Sequence, residues 1–314
     1  MFILVPLVIR KRERRRPHHN ANGFEGATVK DQRPGGTEAF LQPQEAELAR
    51  TTARLAIFEA GAFIREKFQS RGPLAVESKG TFDFVTDVDR FCEDLILKRI
   101  RKAFPDHTLM SEERPIENHS PSHVWIVDPL DGTTNFIHGF PMIAVSIALA
   151  VHGTLVMGWV LDPLRRELFE ARRGYGASCN GRPLAPLRES PLEDALLATG
   201  FPFRSKHMAE PYLQAFKDIF LHVSGIRRAG SAALDLAYTA AGRFQGFWEI
   251  GLKPWDIAAG ALLIREVGGT VTDFWATENY LQNGHIVAGS APVHRFLMEK
   301  IEPLRKALQG PCGS

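Results

Sequence analysis

The sequence predicts a mixed fold, α+β in its first half and α/β in its second, on three observations. Apolar residues recur at helical spacing from Gln44 onward. Residues 123–127 form a short apolar run of β type, and two longer runs flank the turn at residues 152–154 as a hairpin. After Pro191, extended and helical patterns alternate, which is typical of α/β architecture.

Two helices are expected to open the first half. The first starts near Gln44, and its apolar face is expected to comprise Leu48, Leu55, Ala56, Ala62 and Phe63. The second spans residues 89–104 and ends at Pro105, after a polar turn at residues 77–81. The strands expected next cover residues 123–127, 142–151, 155–161 and 167–171.

The second half is expected to alternate in the same way up to the C-terminus. Its extended segments are residues 196–199, 224–228, 244–250 and 285–288. Its helices are residues 208–221, 231–241, 257–267 and a final one, with Gly268 closing the third.

Residues 1–43 differ from the rest in composition. They are predicted to be a disordered basic extension, followed by two folded parts at residues 44–190 and 191–314. The apolar stretch 1–9 precedes the basic run 10–16, the reverse of a secretory signal, and it is too short to cross a bilayer. The alternative is a tail that contacts a polyanion or a membrane surface.

Charge and cysteine content limit the function classes. The chain carries +2 overall, but residues 1–33 hold eight Lys and Arg against three Asp and Glu, so the remainder is about −3. A nucleic-acid surface across the body is therefore not expected, and any such role falls first on the tail. Cys92, Cys179 and Cys312 are odd in number and lack metal-site spacing, which favours a cytoplasmic protein.

The segment 125–135, WIVDPLDGTTN, concentrates the chemistry. Asp128 and Asp131 follow an apolar run, and Gly132 lets an anion approach the backbone amides that follow. Two carboxylates beside a phosphate call for a hard cation such as Mg²⁺. The alternative is ordinary turn chemistry, because Asp-Pro and Asp-Gly are common turn formers.

Further acids could complete a metal shell, and four of the five also have a structural reading. They are Asp87, Asp89, Glu112, Glu113 and Asp256. Asp89 and Asp256 also fit helix N-caps, and Glu112 with Glu113 also fits a solvated pair. The sequence has no Cys/His cluster of the kind that binds zinc.

Five ordered motifs together resemble the inositol monophosphatase family. They are FVTDVD at 84–89, SEE at 111–113, DPLDGTTNFIHGFP at 128–141, GSAA at 230–233 and WDIAAG at 255–260. The resemblance runs from Gln44 to the C-terminus, and residues 230–260 are more similar to the bacterial branch than to the animal enzymes. It implies a layered αβαβα sandwich of the sugar-phosphatase type, shared with fructose-1,6-bisphosphatase, and a homodimer.

The resemblance also implies two to three Mg²⁺ ions. Glu112, Asp128 and the carbonyl oxygen of Leu130 would hold one, and Asp128, Asp131 and Asp256 a second. A third, looser ion would lie near Glu112. The second site implies sensitivity to lithium.

For catalysis, the resemblance pairs Asp89 with Thr133 to activate water, with Glu112 as a further catalytic residue. The amides of Gly132 and Thr133 would hold phosphate, and Lys79 would lie in a mobile loop over the site. The positions implied to contact the substrate are Asp131, Gly230, Ser231, Ala232 and Glu249. Glu249 also fits a surface strand position and Ser231 a helix N-cap.

The function implied is Mg²⁺-dependent hydrolysis of a phosphomonoester, with inositol 1-phosphate as the expected substrate. Fructose 1,6-bisphosphate, histidinol phosphate and phosphoadenosine phosphate stay open, because relatives that act on them share the metal motifs. Lys253 and Pro254 differ from the animal enzymes, so their substrate preference does not transfer. A role in a transcription or RNA complex, known for some bacterial members, is the alternative of a different class.

Overall fold

The structure is a computed structural model that describes the chain except for residues 1–8, 11–34, 71–74, 81–82, 117–121, 203–204 and 310–314. The helices are α1 (Pro43–Ser70), α2 (Asp87–Ala103), α3 (Thr133–His138), α4 (Ala209–Phe220), α5 (Ala232–Ala240), α6 (Pro254–Glu266), α7 (Tyr280–Asn283), α8 (Ala291–Lys300) and α9 (Glu302–Gln309). The first ten strands are β1 (Ile9–Arg10), β2 (Val76–Gly80), β3 (Asp83–Thr86), β4 (Thr108–Ser111), β5 (His123–Asp131), β6 (Ala144–Val151), β7 (Thr154–Asp162), β8 (Glu167–Arg172), β9 (Gly176–Cys179) and β10 (Arg182–Pro183). The others are β11 (Leu196–Thr199), β12 (Gly225–Arg227), β13 (Gly246–Glu249), β14 (Thr270–Thr272) and β15 (Ile286–Gly289).

The larger described sheet has the order β10-β9-β8-β7-β6-β5-β4 and is antiparallel except for the parallel pair β4 and β5. Its central strands are buried on both faces, because helices cover each side. Long apolar strands such as β6 and β7 are the sequence counterpart of this double coverage.

Helices α1 and α2 pack on one face of this sheet. The contact face of α1 is built mainly from small residues that let the helix approach closely, and the buried ones are Ala46, Ala49, Ala53, Ala56, Ile57, Ala60, Gly61 and Ile64 with Thr52. The expected apolar face is therefore wrong for Leu48, Leu55 and Ala62, which are exposed. Alanine rather than leucine marks the buried side of this helix.

Helices α5 and α6 separate the two large sheets. They pack against the other face of the first sheet and against the second, which has the order β12-β11-β13-β15-β14. Helices α4 and α8 lie on the outer side of the second sheet, where a separate apolar cluster includes Trp248, Phe274 and Leu297. The layers run α, β, α, β, α, so the expected sandwich is confirmed.

Some local expectations differ from the structure. Residues 77–81 were expected to form a turn, but residues 76–80 form β2, which pairs with β3 as an antiparallel hairpin. The short strands β4, β9, β10 and β14 carry too little pattern to be recognised in the sequence.

The packed region begins before Gln44. Most of residues 1–43 lies outside the described residues, but Ile9–Arg10 pairs parallel to β2, and a turn of 3₁₀-helix covers Thr37–Ala39. The backbone N–H and hydroxyl of Thr37 both donate to the carbonyl oxygen of Arg173, and Leu41 is buried. These residues belong to the folded body, and the division at residues 190 and 191 stays a prediction.

Candidate metal and phosphate site

Strand β5 ends in the two carboxylates of the main motif. Its pairing with β6 shifts register between Asp128 and Asp131, so both side chains reach the same end of the sheet. The carboxylate of Asp128 accepts the backbone N–H of Leu130 at 3.0 Å. Gly132 follows with φ of 91°, and a Cβ there would lie 2.7 Å from the carbonyl oxygen of Met142, so only glycine fits this turn.

Asp128 lies among other acids. Its side chain is buried, and burial raises its pKa well above the ordinary value. The negative charges of Glu112, Asp131 and Asp256 raise this pKa further. Three of the four predicted side-chain ligands thus surround the fourth closely enough to repel its charge.

Asp131 joins β5 to the start of α5. Its Oδ2 accepts hydrogen bonds from the hydroxyl of Ser231 at 2.6 Å and from the backbone N–H of Ala233 at 2.8 Å. Burial raises the pKa of Asp131 to about 6, even though these hydrogen bonds favour the charged form. Ser231 is also the N-cap of α5 and accepts the N–H of Leu234 at 3.4 Å, so both readings of this serine apply.

Asp89 and Thr133 are brought together from positions 44 residues apart. The hydroxyl of Thr133 donates to Asp89 Oδ1 at 2.7 Å and also lies 3.0 Å from the carbonyl oxygen of Leu130. Asp89 is fully buried at the first turn of α2, and its Oδ2 accepts the N–H of Thr86, the N-cap, at 2.9 Å. Burial raises the pKa of Asp89 to about 6, against the opposing effect of its hydrogen bonds to Thr86 and Thr133.

Asp256 occupies the first turn of α6. Its Oδ2 accepts the backbone N–H of Lys253 at 2.7 Å, and its negative charge raises the pKa of Asp128. Ser146 on β6 donates to the carbonyl oxygen of Trp255 at 3.1 Å. This bond holds the start of α6 beside β6, the strand that pairs with β5.

Glu112 follows β4, and a buried residue that the sequence did not single out fixes its segment. Glu93 on α2 accepts the hydroxyl of Ser111, the N–H of Glu113 at 3.0 Å and the guanidinium of Arg114 at 3.0 Å. The segment on both sides of Glu112 is thereby attached to α2. The sequence signal is weak, because Glu93 lies one helical turn beyond Asp89 in an otherwise ordinary amphipathic helix.

The expected substrate positions lie around the start of α5 and the end of β13. The side-chain amide of Asn135 donates to the carbonyl oxygens of Met142, Ala229 and Gly230, which ties the Gly230 turn to the main motif. Glu249, the last residue of β13, is buried, as is Ala232. Lys79 lies in β2, and its side chain is outside those that the structure describes.

Asp235 was not predicted to belong to the site. It is buried in α5, and its Oδ1 has no hydrogen-bond partner within the described parts of the chain. Burial raises its pKa well above the ordinary value, and the charges of Glu249 and Asp131 add to this.

The donors at this site fit a hard cation. Carboxylates and one backbone carbonyl are oxygen ligands of the kind that Mg²⁺ prefers, and they include Asp128 and the three acids whose charges raise its pKa. A bound divalent cation would remove this repulsion. We predict that this cation is held by Glu112, Asp128, Leu130, Asp131 and Asp256. Their oxygen chemistry and their clustering support this prediction.

Glu45, His107 and His123 form a separate group with metal-ligand chemistry, with one ligand atom of each within 4.8 Å of the others. The Nε2 atoms of His107 and His123 lie 3.9 and 3.7 Å from Glu45 Oε1. However, Trp125 Nε1 donates to His107 Nδ1 at 3.1 Å, so neutral His107 carries its proton on Nε2. A protonated nitrogen is not a metal ligand, and the group suits hydrogen bonding better.

Comparisons with known proteins agree with the motifs. The family model described as "Inositol monophosphatase family" matches residues 45–309. "Nus factor SuhB" of Pseudomonas aeruginosa is 47% identical over 249 residues, which are 78% of this chain and 92% of the relative. "Inositol-1-monophosphatase" of Mesorhizobium japonicum is 44% identical, with 79% of this chain and 93% of the relative covered. The crystal structure of the extragenic suppressor protein suhB from Bartonella henselae matches with a TM-score of 0.78 and 40% identity, covering 81% of this chain and 98% of that one.

Proposed function

The chain belongs to the inositol monophosphatase family, and we propose from this premise that it hydrolyses inositol 1-phosphate to myo-inositol and phosphate. Phosphatase activity follows from the family, and the substrate is the proposal. The observation that best supports hydrolysis is the buried Asp89–Thr133 pair beside the acids at the end of β5, and the choice of substrate rests on Glu249 and the turn at Gly230. The family is metal-dependent, and the oxygen donors here suit Mg²⁺.

The Asp89–Thr133 pair supports a role in activating water. A threonine hydroxyl is a poor base, but it can pass a proton to a carboxylate that already accepts its hydrogen bond. Burial raises the pKa of Asp89 to about 6, towards the range that suits a general base near neutral pH. Bound Mg²⁺ would supply charge neutralisation and a lowered pKa for water.

The turn after β5 supports a phosphate position. Gly132 is the left-handed N-cap of α3, and we assign the N–H groups of Gly132 and Thr133 to the phosphate. Asn135 holds the Gly230 turn against this segment through the carbonyl oxygens of Ala229 and Gly230. Ser231, Ala232, Gly230 and Glu249 would then face the alcohol that leaves.

The test is phosphate release with Mg²⁺ from a panel of esters. We expect inositol 1-phosphate to give the highest kcat/KM, with EDTA abolishing release, in a panel that also holds fructose 1,6-bisphosphate, histidinol phosphate, phosphoadenosine phosphate and p-nitrophenyl phosphate. A panel member other than inositol 1-phosphate that is preferred tenfold would refute the substrate assignment and leave the phosphatase activity standing.

A second role is a contact with a transcription complex, because relatives 46–47% identical are named Nus factors. The test is binding of the full chain to RNA polymerase with its elongation factors, compared between wild type and Asp131→Asn. Binding that survives loss of turnover would show a separate role, and binding to RNA itself would weaken steeply with salt.

Homodimerisation and a cytoplasmic location are further proposals. Within the described residues, every helix is too short or too polar to cross a bilayer.

A further inference from the structure

Two neighbouring strands of the second sheet end side by side next to the expected substrate positions. β11 and β13 are parallel, and Thr199 lies opposite Trp248 in the register. The hydroxyl of Thr199 donates to the carbonyl oxygen of Trp248 at 2.7 Å, which fixes the two strand ends together. Gly200 directly follows β11, and Glu249 is the last residue of β13.

The carboxyl group of Glu249 lies directly against Gly200. A Cβ built on Gly200 would lie 1.9 Å from Oε1, 2.0 Å from Cδ and 2.2 Å from Oε2 of Glu249. A Cβ atom does not come within 3 Å of another heavy atom outside its own chain neighbours, so any side chain at position 200 would displace this carboxylate. The space that the carboxylate occupies exists because residue 200 is glycine.

The backbone gives no other reason for glycine at this position. The φ of Gly200 lies outside the left-handed region, so alanine would adopt the same conformation without strain. By contrast, Gly132 and Gly230 have φ of 91° and 87° and are required by their turns. Gly200 is therefore explained by the position of a side chain and not by the turn it makes.

The surroundings oppose a small shift of Glu249. Its charge raises the pKa of buried Asp235, whose Oδ1 has no partner among the described residues. Movement towards Asp235 would bring two buried carboxyl groups closer, with repulsion or the uptake of a proton as the result. The guanidinium of Arg228 acts on Asp235 in the opposite sense, and it lies over the ring of Phe201, 5.7 Å from its centre.

We propose that Gly200 determines substrate specificity by positioning the carboxylate of Glu249. Because residue 200 has no side chain, this carboxylate can lie where it binds the hydroxyls of a polyol leaving group. The inference rests on the proposed function, because it assigns Glu249 to the alcohol half of the substrate. A carboxylate at this place accepts hydrogen bonds from hydroxyls and favours a polyol over an aryl or simple alkyl alcohol. Hydrolysis of the phosphate itself does not depend on it.

The test compares kcat/KM for inositol 1-phosphate and p-nitrophenyl phosphate in Gly200→Ala at saturating Mg²⁺. We expect kcat/KM for inositol 1-phosphate to fall at least about tenfold, the usual effect of losing a hydrogen bond to a charged group. The loss on p-nitrophenyl phosphate should stay within about twofold, and inhibition by inorganic phosphate should not change. Equal losses on both substrates, or none on either, would overturn the inference.

Two controls separate the Glu249 contact from a general effect. Gly225→Ala adds the same methyl group to the neighbouring strand β12, where the nearest atoms are 3.3 and 3.4 Å away and none belongs to Glu249. It should keep the wild-type ratio of the two substrates. In a Glu249→Ala background, Gly200→Ala should change kcat/KM for inositol 1-phosphate by less than about twofold, because its target is gone.

Further outcomes are also decisive. Additive losses in the double variant would show that Gly200 does not act through Glu249. If Gly200→Ala melts far below wild type, the double variant with Glu249→Ala should recover the melting temperature, which would assign the clash to this carboxylate. A double variant that does not recover would refute the contact. A wild-type enzyme that cleaves p-nitrophenyl phosphate but no polyol phosphate would refute the proposed substrate class. Polyol turnover by wild type, with the same ratio of the two substrates in Gly200→Ala, would refute only the role of Gly200.

Discussion

Replacing Asp128 with asparagine should stabilise the metal-free protein while abolishing its activity. Asp128 is buried beside the charges of Glu112, Asp131 and Asp256, all of which raise its pKa. Asparagine has nearly the same shape, and its carbonyl oxygen can still accept the N–H of Leu130. The substitution therefore removes the repulsion and keeps the local hydrogen bond.

The size of the effect is limited by the alternative open to the carboxyl group, which is to take up a proton. Protonating an ordinary carboxyl with a pKa near 4 at pH 7 costs about 4 kcal/mol, and at pH 5 about 1.5 kcal/mol. A folded-state pKa raised above the unfolded value means stability that is present at low pH and lost as the pH rises. The gain from Asp128→Asn should therefore reach at most about 8 °C in melting temperature at pH 7 and about 3 °C at pH 5.

The assay is thermal unfolding at both pH values, with EDTA and with 10 mM Mg²⁺, followed by phosphate release. Wild type should gain stability from Mg²⁺ at pH 7, and Asp128→Asn should gain much less. Asp162→Asn is the matched control, because Asp162 is equally buried but accepts hydrogen bonds from Arg165 and Tyr238, so its loss should lower the melting temperature. A metal-free Asp128→Asn protein that melts at or below wild type at pH 7 would refute the reasoning.

Other predictions concern the metal, the tail and a buried histidine. Asp131→Asn should lower kcat at least about 100-fold at saturating Mg²⁺ while the melting temperature stays within a few degrees of wild type, and wild-type turnover in this variant would count against the ligand set. Li⁺ should inhibit the wild-type enzyme uncompetitively with substrate, and purely competitive inhibition would count against the same ligand set. Deleting residues 1–42 should lower the melting temperature more than deleting 1–34, because only the first removes the buried Thr37 and Leu41; equal melting temperatures would contradict their contribution. Burial lowers the pKa of His107 to about 4, so the free energy of unfolding should fall by about 1–2 kcal/mol as the pH drops from 6.5 to 4. In denaturant titrations, His107→Gln should reduce this fall, and an unchanged pH profile in the variant would exclude His107 as its source.

The fold was predictable where the sequence pattern records packing, and less so where small residues do the packing. The apolar runs of β6 and β7 gave a hairpin within a few residues of the observed one. The buried face of α1 was misjudged because close approach of a helix to a sheet requires alanine, whereas hydrophobic periodicity gives more weight to leucine. Short edge strands such as β10 have no face to bury and leave no periodic signal.

The site was predictable in its motifs, but its supporting residues were not. Asp89 and Thr133 meet as the family resemblance implied. Glu93 and Asp235 were missed because their importance comes from what the fold places beside them, namely the segment after β4 and the carboxylate of Glu249. Neither lies in a turn or at the end of a strand, where sequence reasoning looks for functional acids.

Asp89 and Asp256 are not N-caps, because Thr86 and Lys253 hold those positions and each acid lies three residues further on. A contact with the helix start and a role in the site are compatible, because a carboxylate has two oxygens. Asp89 and Asp256 each use Oδ2 to accept a backbone N–H at the start of a helix, α2 and α6, and Asp131 uses Oδ2 at the start of α5. Oδ1 of Asp89 accepts the hydroxyl of Thr133, so the second oxygen serves the site there. Three helix N-termini thus hold three acids by one oxygen each, in fixed orientations that a flexible loop would not give. For Asp131 and Asp256, such fixed orientations suit the binding of a hard cation in a defined geometry, and for Asp89 they suit its pairing with Thr133.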